Sequence, residues 1–415
     1  MPSAPYRELL RTPGAAAFFL TACTGRLGIA MTGLGVVWLV HGRTGSYASA
    51  GLVTGAFAVA EALAGPQLAR LMDRFGQTRV LPPLLLAHAG AVAALLAAVA
   101  GGGPGALMAA GGALAGATVP QLGALSAARW VTLLRAERPA ELPGAFALES
   151  LGNAVGFLAG PALVSLLGAS GHPALGTILA AALVVGGGGA LAAQRGTAPP
   201  LSAPEATGRS RTGRSLLRPG FVRAAGLNLA IGVYFGAIRV SVTAFAVEHH
   251  AAAAAAPVFV ASNCGGLLAG WLYGLRRWRT APGVQLAAVT AWLALGSLLL
   301  LTARSPLALG ALIVLSGAAV PPVLVLLSVL AESAVHRSVL TQAFSWLNSA
   351  SAAGSAGAAA VSGRAVDAFG AHGGLAIAAA ATVSMAVLAA AGLRTGRAPG
   401  RIPPARGRPD MTRPQ

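Results

Sequence analysis

Four charged residues stand inside long apolar stretches of the sequence, namely Arg26, Glu61, Glu149 and Arg239. A charge in such a stretch costs several kcal/mol unless it is paired or hydrated, so it is retained mainly where it has a function. An arginine can bind an anionic group, and a glutamate can bind and release a proton. We therefore predict that these residues line a pathway for a solute or a proton.

Three polar or amphipathic residues in similar stretches join this predicted pathway: Asn228, Tyr234 and Asn348. For each of them, a hydrogen bond between packed helices is the simpler interpretation. The chain also holds two cysteines, Cys23 and Cys264, which we interpret as small buried apolar residues. Its seven histidines are scattered, so the sequence indicates neither a metal site nor a cofactor.

Arg26 and Glu61 have matching estimated depths in their apolar runs. Arg26 lies about 11 residues, or ~16 Å, into the first run, and Glu61 lies about 8 residues, or ~12 Å, from the end of the second. We therefore predict that they form a buried pair, which either fixes the two helices or titrates. Glu149 is either a water-exposed capping charge or a pathway residue. Arg239 either extends towards the membrane surface or faces a cavity and attracts anionic groups.

The composition requires that these residues be held by membrane helices. Of the 415 residues, 55% are hydrophobic and 10% are charged, and the mean hydropathy is +0.71. These values exclude a soluble globular chain, and the unbroken apolar runs exclude a transmembrane β-barrel. Twelve runs are long enough to span a bilayer: 15–40, 48–69, 80–100, 105–128, 145–167, 173–193, 222–247, 254–275, 282–302, 306–331, 340–361 and 373–393. The sequence therefore predicts an all-α integral membrane protein with twelve transmembrane helices.

A polar segment rich in proline and glycine divides these runs into two sets of six. We predict a six-helix half at 1–194, a cytoplasmic linker at 195–220, a second half at 221–394 and a disordered cytoplasmic tail at 395–415. All 29 basic residues are arginines, and 24 of them are cytoplasmic if the N-terminus is inside. By the positive-inside rule we expect both termini in the cytoplasm and the protein in the inner or plasma membrane. The net charge of +18 then reflects orientation, and we expect no nucleic-acid partner.

The turn after the second run reads ARLMDRFGQTRVL at residues 69–81. It resembles the signature loop of the major facilitator superfamily, G-x-L-a-D-r-x-G-r-k-x-x-l, with the core kept at Asp73, Arg74 and Gly76 and the first glycine replaced by Ala69. The resemblance covers residues 15–393 and implies twelve helices in two six-helix halves that rock around a central cavity. The matching turn of the second half, GWLYGLRR at 270–277, has Gly274 where an acid would stand.

The chemistry of this loop indicates a gate. Asp73 lies near the predicted start of the eleventh helix, where a carboxylate stabilises a helix N-terminus by about 0.3–1 kcal/mol. Arg74 or Arg129 is placed to pair with Asp73, and Gly76 permits a tight turn. The alternative is a plain polar hairpin.

The fifth run carries Gly156, Gly160 and Pro161, and this Gly-x-x-x-Gly-Pro piece is similar to a motif of drug–proton antiporters in the same superfamily. The antiporters' arginine in the fourth helix is missing, because residues 105–128 hold no charge. Close helix packing with a proline kink is the simpler interpretation.

The resemblance implies a monomeric secondary active transporter, not an enzyme. We expect it to export a small hydrophobic or amphipathic organic compound across the lipid bilayer by alternating access, coupled to protons. The alternatives are a transporter-like sensor or scaffold, and an importer of a small metabolite.

Overall fold

The computed structural model describes residues 5–169, 171–200, 214–251, 255–276 and 278–394. The predicted tail at 395–415 and the centre of the predicted linker lie outside these residues. The predicted boundaries of the two halves therefore stay predictions.

The first half begins with a short surface helix, α1, that the sequence analysis did not predict. Six membrane spans follow it. The helices are α1 (Pro5–Arg11), α2 (Ala15–Thr44), α3 (Tyr47–Phe75), α4 (Gln77–Ala100), α5 (Gly105–Ala117), α6 (Leu122–Leu134), α7 (Leu142–Ala169) and α8 (Pro173–Ala193). The fourth span consists of α5 and α6 together.

The second half repeats this order without the surface helix. Its helices are α9 (Pro219–Glu248), α10 (Ala255–Leu275), α11 (Pro282–Leu300), α12 (Pro306–Gly317), α13 (Val320–Ala334), α14 (Leu340–Phe369) and α15 (Ala371–Arg394). Here α12 and α13 together form the fourth span. Within the described residues, the predicted twelve spans are confirmed.

The breaks in the two fourth spans were not predicted, and proline explains both. Pro120 lies between α5 and α6, and Pro321 and Pro322 open α13. Proline lacks an N–H donor and disfavours helix at the residue before it. Among the described residues, ten helical stretches are long and apolar enough to cross a membrane, and one of them is α12 and α13 taken together. α14 is long enough but too polar to be among them, because serine, glycine and asparagine interrupt it.

Glycine lets the helices within each half approach closely. In the first half, Gly28 of α2 faces the carbonyl of Ala180 on α8 so closely that a Cβ atom has no room. In the second half, Gly232 of α9 faces the Ser351 carbonyl of α14 in the same way. Such contacts are typical of membrane helices, whose association depends on close packing.

The halves meet mainly where α3 packs against α14 and where α7 packs against α10 and α13. Gly14 at the start of α2 contacts Thr197, so the N-terminal end and the connection between the halves share one side of the bundle. We call this the linker side, and the opposite side the far side. The largest apolar core joins both halves and includes Phe18, Trp130 and Phe344.

Candidate functional site

Arg26 of α2 pairs with Glu149 of α7. Its Nη1 atom donates to the Glu149 carboxylate, and its Nη2 atom donates to the Glu149 backbone carbonyl at 2.8 Å. Both side chains are about nine-tenths buried. The predicted pairing of Arg26 with Glu61 is therefore wrong. Depth along a helix does not fix the direction in which a side chain points, and Arg26 points towards α6 and α7.

Two residues of α6 complete the surroundings of the Glu149 carboxylate. Its Oε1 atom accepts hydrogen bonds from Ser126 Oγ at 2.5 Å and from Trp130 Nε1 at 2.9 Å. Ser126 and Trp130 are four residues apart and so lie on one helix face. The Trp130 ring packs edge-on against Phe18 at 4.9 Å. Glu149 is thus a buried, fully hydrogen-bonded carboxylate and not a capping charge.

Sequence reasoning missed Ser126 and Trp130. The sequence did hold a signal for them. Ser126 and Trp130 are spaced by four residues near the end of the fourth span, and Arg129 lies beside them.

Glu61 of α3 is half-buried and has no hydrogen-bond or ion-pair partner among the residues that the structure describes. One turn earlier on α3, Phe57 packs against Gly116 of α5. One residue later, the Ala62 carbonyl accepts a hydrogen bond from Ser349 of α14 at 3.1 Å. Glu61 therefore lies on the strip of α3 between its contacts with α5 and α14.

The polar residues of the second half have different surroundings from one another. Asn228 is buried and donates to the Ala224 carbonyl of its own helix at 2.9 Å, so the predicted bond between packed helices is wrong there. Tyr234 is buried near Ser316 of α12, and the predicted hydrogen bond between the two helices stays a prediction there. Asn348 is exposed, and its amide has no hydrogen-bond partner among the described residues, so the predicted packing bond is wrong there.

Asp73 contacts the N-terminus of α14, as predicted. Its carboxylate accepts the backbone N–H groups of Thr341 at 3.3 Å and Gln342 at 2.8 Å. These donors have no partner within the helix because they belong to its first turn. Gly76 has a φ of +92°, a conformation that favours glycine, so the tight turn is also as predicted.

Neither predicted arginine pairs with Asp73. Arg129 is buried, and it donates to Gln77 Oε1 at 2.9 Å and to the carbonyls of Leu191 and Gln194 at 3.0 Å. It therefore stabilises the C-terminal end of α8, where a cation is favourable. Arg74 is exposed, and its guanidinium carbon lies 4.8 Å from the centre of the Phe75 ring.

Further contacts close the linker side between the halves. Arg135 Nε lies 3.0 Å from Glu332 Oε1, and the rings of Phe146 and Phe344 lie 5.8 Å apart. The Tyr6 hydroxyl of α1 donates to the Trp271 carbonyl at the end of α10 at 2.9 Å. Together with Asp73 and the first turn of α14, these contacts form what we call the linker-side seam.

Tyr6 fits against Gly274 so closely that a Cβ atom there has no room. This glycine is the residue that replaces the acid in the second-half turn. Burial raises the pKa of Tyr6 from 10.0 to about 12, so its hydroxyl remains a donor at neutral pH.

On the far side, α3 and α14 separate. Gly51 and Gly55 lie on the same face of α3 as Ala62, but a Cβ atom on either glycine would meet no atom of the described residues within 4 Å. The same holds for Gly357 on α14. The two helices are therefore in contact at the level of Ala62 and open beyond it.

The helix-5 motif forms the contact between α7 and α2. A Cβ atom on Gly160 would lie 3.2 Å from Ala30, and one on Gly156 would lie 3.9 Å from Leu27. Pro161 lies inside α7. This geometry agrees with the packing interpretation of the motif, and a specific role in antiport stays a prediction.

The fold matches solved structures of major facilitator transporters. One is the human organic anion transporter MFSD10 (TETRAN), with a TM-score of 0.69 and 16% sequence identity, covering 93% of this chain and 100% of that chain. Another is a bacterial homologue of the iron transporter ferroportin in an outward-facing state, with a TM-score of 0.74 and 12% identity, covering 91% and 98%. A third is the transporter FucP in an outward conformation, with a TM-score of 0.68 and 18% identity, covering 90% and 97%.

No family model and no curated protein matches the sequence. The structural matches establish the fold: the chain has the all-α major facilitator fold of twelve transmembrane helices in two six-helix halves, as predicted. It is a multi-pass membrane protein.

Proposed function

We propose that this protein is a secondary active transporter that works by alternating access and exports a small hydrophobic or amphipathic organic compound in exchange for protons. The observation that carries this proposal is the asymmetry between the two sides: charged and aromatic contacts join the halves on the linker side, and α3 and α14 separate on the far side. The opposite state would need these contacts to break and the small residues of the far side to meet.

The arginine distribution supports a cytoplasmic linker side with both termini inside. In this orientation, the described conformation is closed to the cytoplasm and open to the outside. Two of the similar structures are also described as outward-facing.

Glu61 is our proposed proton carrier, because its carboxylate has no partner among the described residues and lies on the strip between α5 and α14. An unpaired carboxylate in a membrane is favoured when protonated. The Glu149 carboxylate instead accepts hydrogen bonds from Arg26, Ser126 and Trp130. We therefore assign it a structural role beside the pathway.

Cysteine labelling tests the alternating states without a known substrate. In a C23A/C264A background, we expect an impermeant maleimide added outside to label Gly55→Cys but not Ser345→Cys, which is buried at the linker-side seam. Adding Asp73→Asn should make Ser345→Cys reactive from the cytoplasmic side. Equal labelling of both positions from outside would contradict the proposed states.

Proteoliposomes with an internal pH indicator test the coupling. We expect a panel of amphipathic compounds to include one whose flux moves protons, and Glu61→Gln to stop proton movement. Glu137→Gln, at an exposed loop position, is the matched control. Flux without proton movement would refute proton coupling, and binding without flux would indicate a sensor or scaffold instead.

A further inference from the structure

A groove of about 690 Å³ lies between α9 and α14 towards the far side. Apolar and small side chains form most of its wall, among them Val240, Val247 and Ala359. Arg239 contributes a cation, and Glu248 lies at the far end. The groove follows α9 from Gly236 to Val247, or ~16 Å at 1.5 Å per residue.

The groove forms because α9 and α14 diverge. Gly232 and Gly236 let α9 contact the Ser351 and Ser355 carbonyls with no room for a Cβ atom. Beyond Gly236 the groove-lining residues of α9 carry side chains, beginning with Arg239 and Val240. The tight glycine contact is therefore the closed end of the groove.

Arg239 is exposed in this groove, and its guanidinium has no hydrogen-bond or ion-pair partner among the described residues. Glu248 is nine residues, or ~13 Å, further along α9. Its carboxylate accepts the Ala371 N–H at 2.7 Å, at the N-terminus of α15. The groove thus holds an arginine without a counter-ion in a membrane-spanning helix.

We infer that this groove binds a small amphipathic organic monoanion, with its carboxylate or sulfonate on Arg239 and its apolar body along α9 and α14. A guanidinium keeps its proton and offers a planar pair of donors that matches such an anion. The apolar wall favours a hydrocarbon or aromatic body over a polyol. One free cation fits one negative charge.

This inference rests on the proposed function, because it assigns a substrate class to the transported compound. The compound that the protein exports would be an organic anion, released to the outside from a groove that opens towards the far side.

The test compares two probes with one aromatic body, naphthalene-2-sulfonate and neutral naphthalene-2-sulfonamide. Calorimetric titration of the purified full chain in neutral detergent measures both affinities. We expect the sulfonate to bind about tenfold more tightly, in line with a charge-assisted hydrogen bond. Arg239→Gln should remove this preference and Arg239→Lys should keep part of it. Arg364→Gln is the matched control, since Arg364 is an exposed arginine of α14 outside the groove lining.

Equal affinity for the two probes, or a preference that survives in Arg239→Gln, would overturn the inference. If Arg239→Gln fails to fold, Val240→Trp provides a second test. It should fill the groove and weaken sulfonate binding, and unchanged binding would overturn the inference. Loss of sulfonate binding in bilayers that contain phosphatidylglycerol, but not in phosphatidylcholine alone, would assign the groove to a lipid and also overturn it.

Binding needs no flux, so this result is separable from the proposed function. Sulfonate preference without transport would contradict only the transporter. Proton-coupled flux of neutral compounds with no preference for anions would contradict only the organic-anion assignment.

Discussion

The two halves hold their polar groups on the linker side in different ways. The first half buries charged side chains: Arg26 forms an ion pair with Glu149, and Arg129 donates a hydrogen bond to the C-terminal end of α8. At the seam it presents the Asp73 carboxylate, to which the second half offers the N–H groups of α14. At the matching turn, the second half offers a carbonyl of α10 to the neutral hydroxyl of Tyr6.

This difference shows how a duplicated turn can keep its place at the seam while its chemistry changes. In the first turn, Asp73 accepts hydrogen bonds from the N-terminus of α14. The matching position of the second turn is Gly274, and the Tyr6 side chain packs directly against it. A hydrogen bond with a charged partner contributes about 1.5–3 kcal/mol and a neutral one about 0.5–1.5 kcal/mol. We therefore expect the first turn to contribute more to seam closure. Arg135 and Glu332 form the ion pair in which the second half supplies the acid.

The largest effect should come from breaking the buried pair of the first half. Glu149→Ala leaves Arg26 buried and charged, at a cost of about 3–5 kcal/mol, whereas Glu61→Ala removes no described partner and should cost much less. Thermal melting in detergent measures both. The double variant Arg26→Ala/Glu149→Ala should recover part of the loss. Equal losses of stability in Glu149→Ala and Glu61→Ala would show that the Arg26–Glu149 ion pair does not stabilise this half.

The second prediction breaks the neutral turn of the second half. Gly274→Val should displace Tyr6 and Ala147, because a Cβ atom has no room there, at about 1–3 kcal/mol for overpacking. We expect the linker-side seam to open, which maleimide labelling of Ser345→Cys would report. Gly357→Ala on α14 is the matched control, since its Cβ would meet open space. A closed seam in Gly274→Val would mean that Tyr6 does not hold it.

The third prediction weakens the charged turn of the first half. Asp73→Asn keeps one oxygen acceptor but loses the charge towards the N-terminus of α14, an effect of about 1 kcal/mol. We expect folding to be nearly unchanged and the conformational balance to shift towards an open linker side, again read by labelling. Transport at the original rate by a well-folded Asp73→Asn protein would contradict a role for Asp73 in the gate.

The fold could be predicted from the sequence because each requirement is local. Twenty apolar residues define a span, and arginine in the turns separates one span from the next. The contact of Asp73 with α14 was also predictable, since the turn motif and the topology place a carboxylate at a helix start. The breaks at Pro120 and Pro321 could have been predicted from proline chemistry alone.

The partners of buried charges were not predictable in this way. Arg26 has acids at similar depth on two helices, and the choice between Glu61 and Glu149 depends on the direction of each side chain, which packing sets. The position of Tyr6 depends on its contact with α10, in which it bonds to residues 264 and 265 positions further along the chain. A single sequence holds no local signal for such a contact.

The smallest effect should come from Tyr6→Phe, which removes one neutral hydrogen bond and keeps the ring against Gly274. We expect a loss of about 0.5 kcal/mol, at the lower end for a neutral hydrogen bond, and a slight opening of the seam, less than in Asp73→Asn. The pKa of Tyr6 rises from 10.0 to about 12 on burial, so the folded state favours the protonated hydroxyl. Its contribution is then fully present below pH 10 and is lost as the pH rises towards 12. Melting of both proteins between pH 6 and pH 9 should therefore differ by a constant amount. A difference that changes within this range would show that another titrating group controls the contact, and the two turns would then be less distinct than their chemistry indicates.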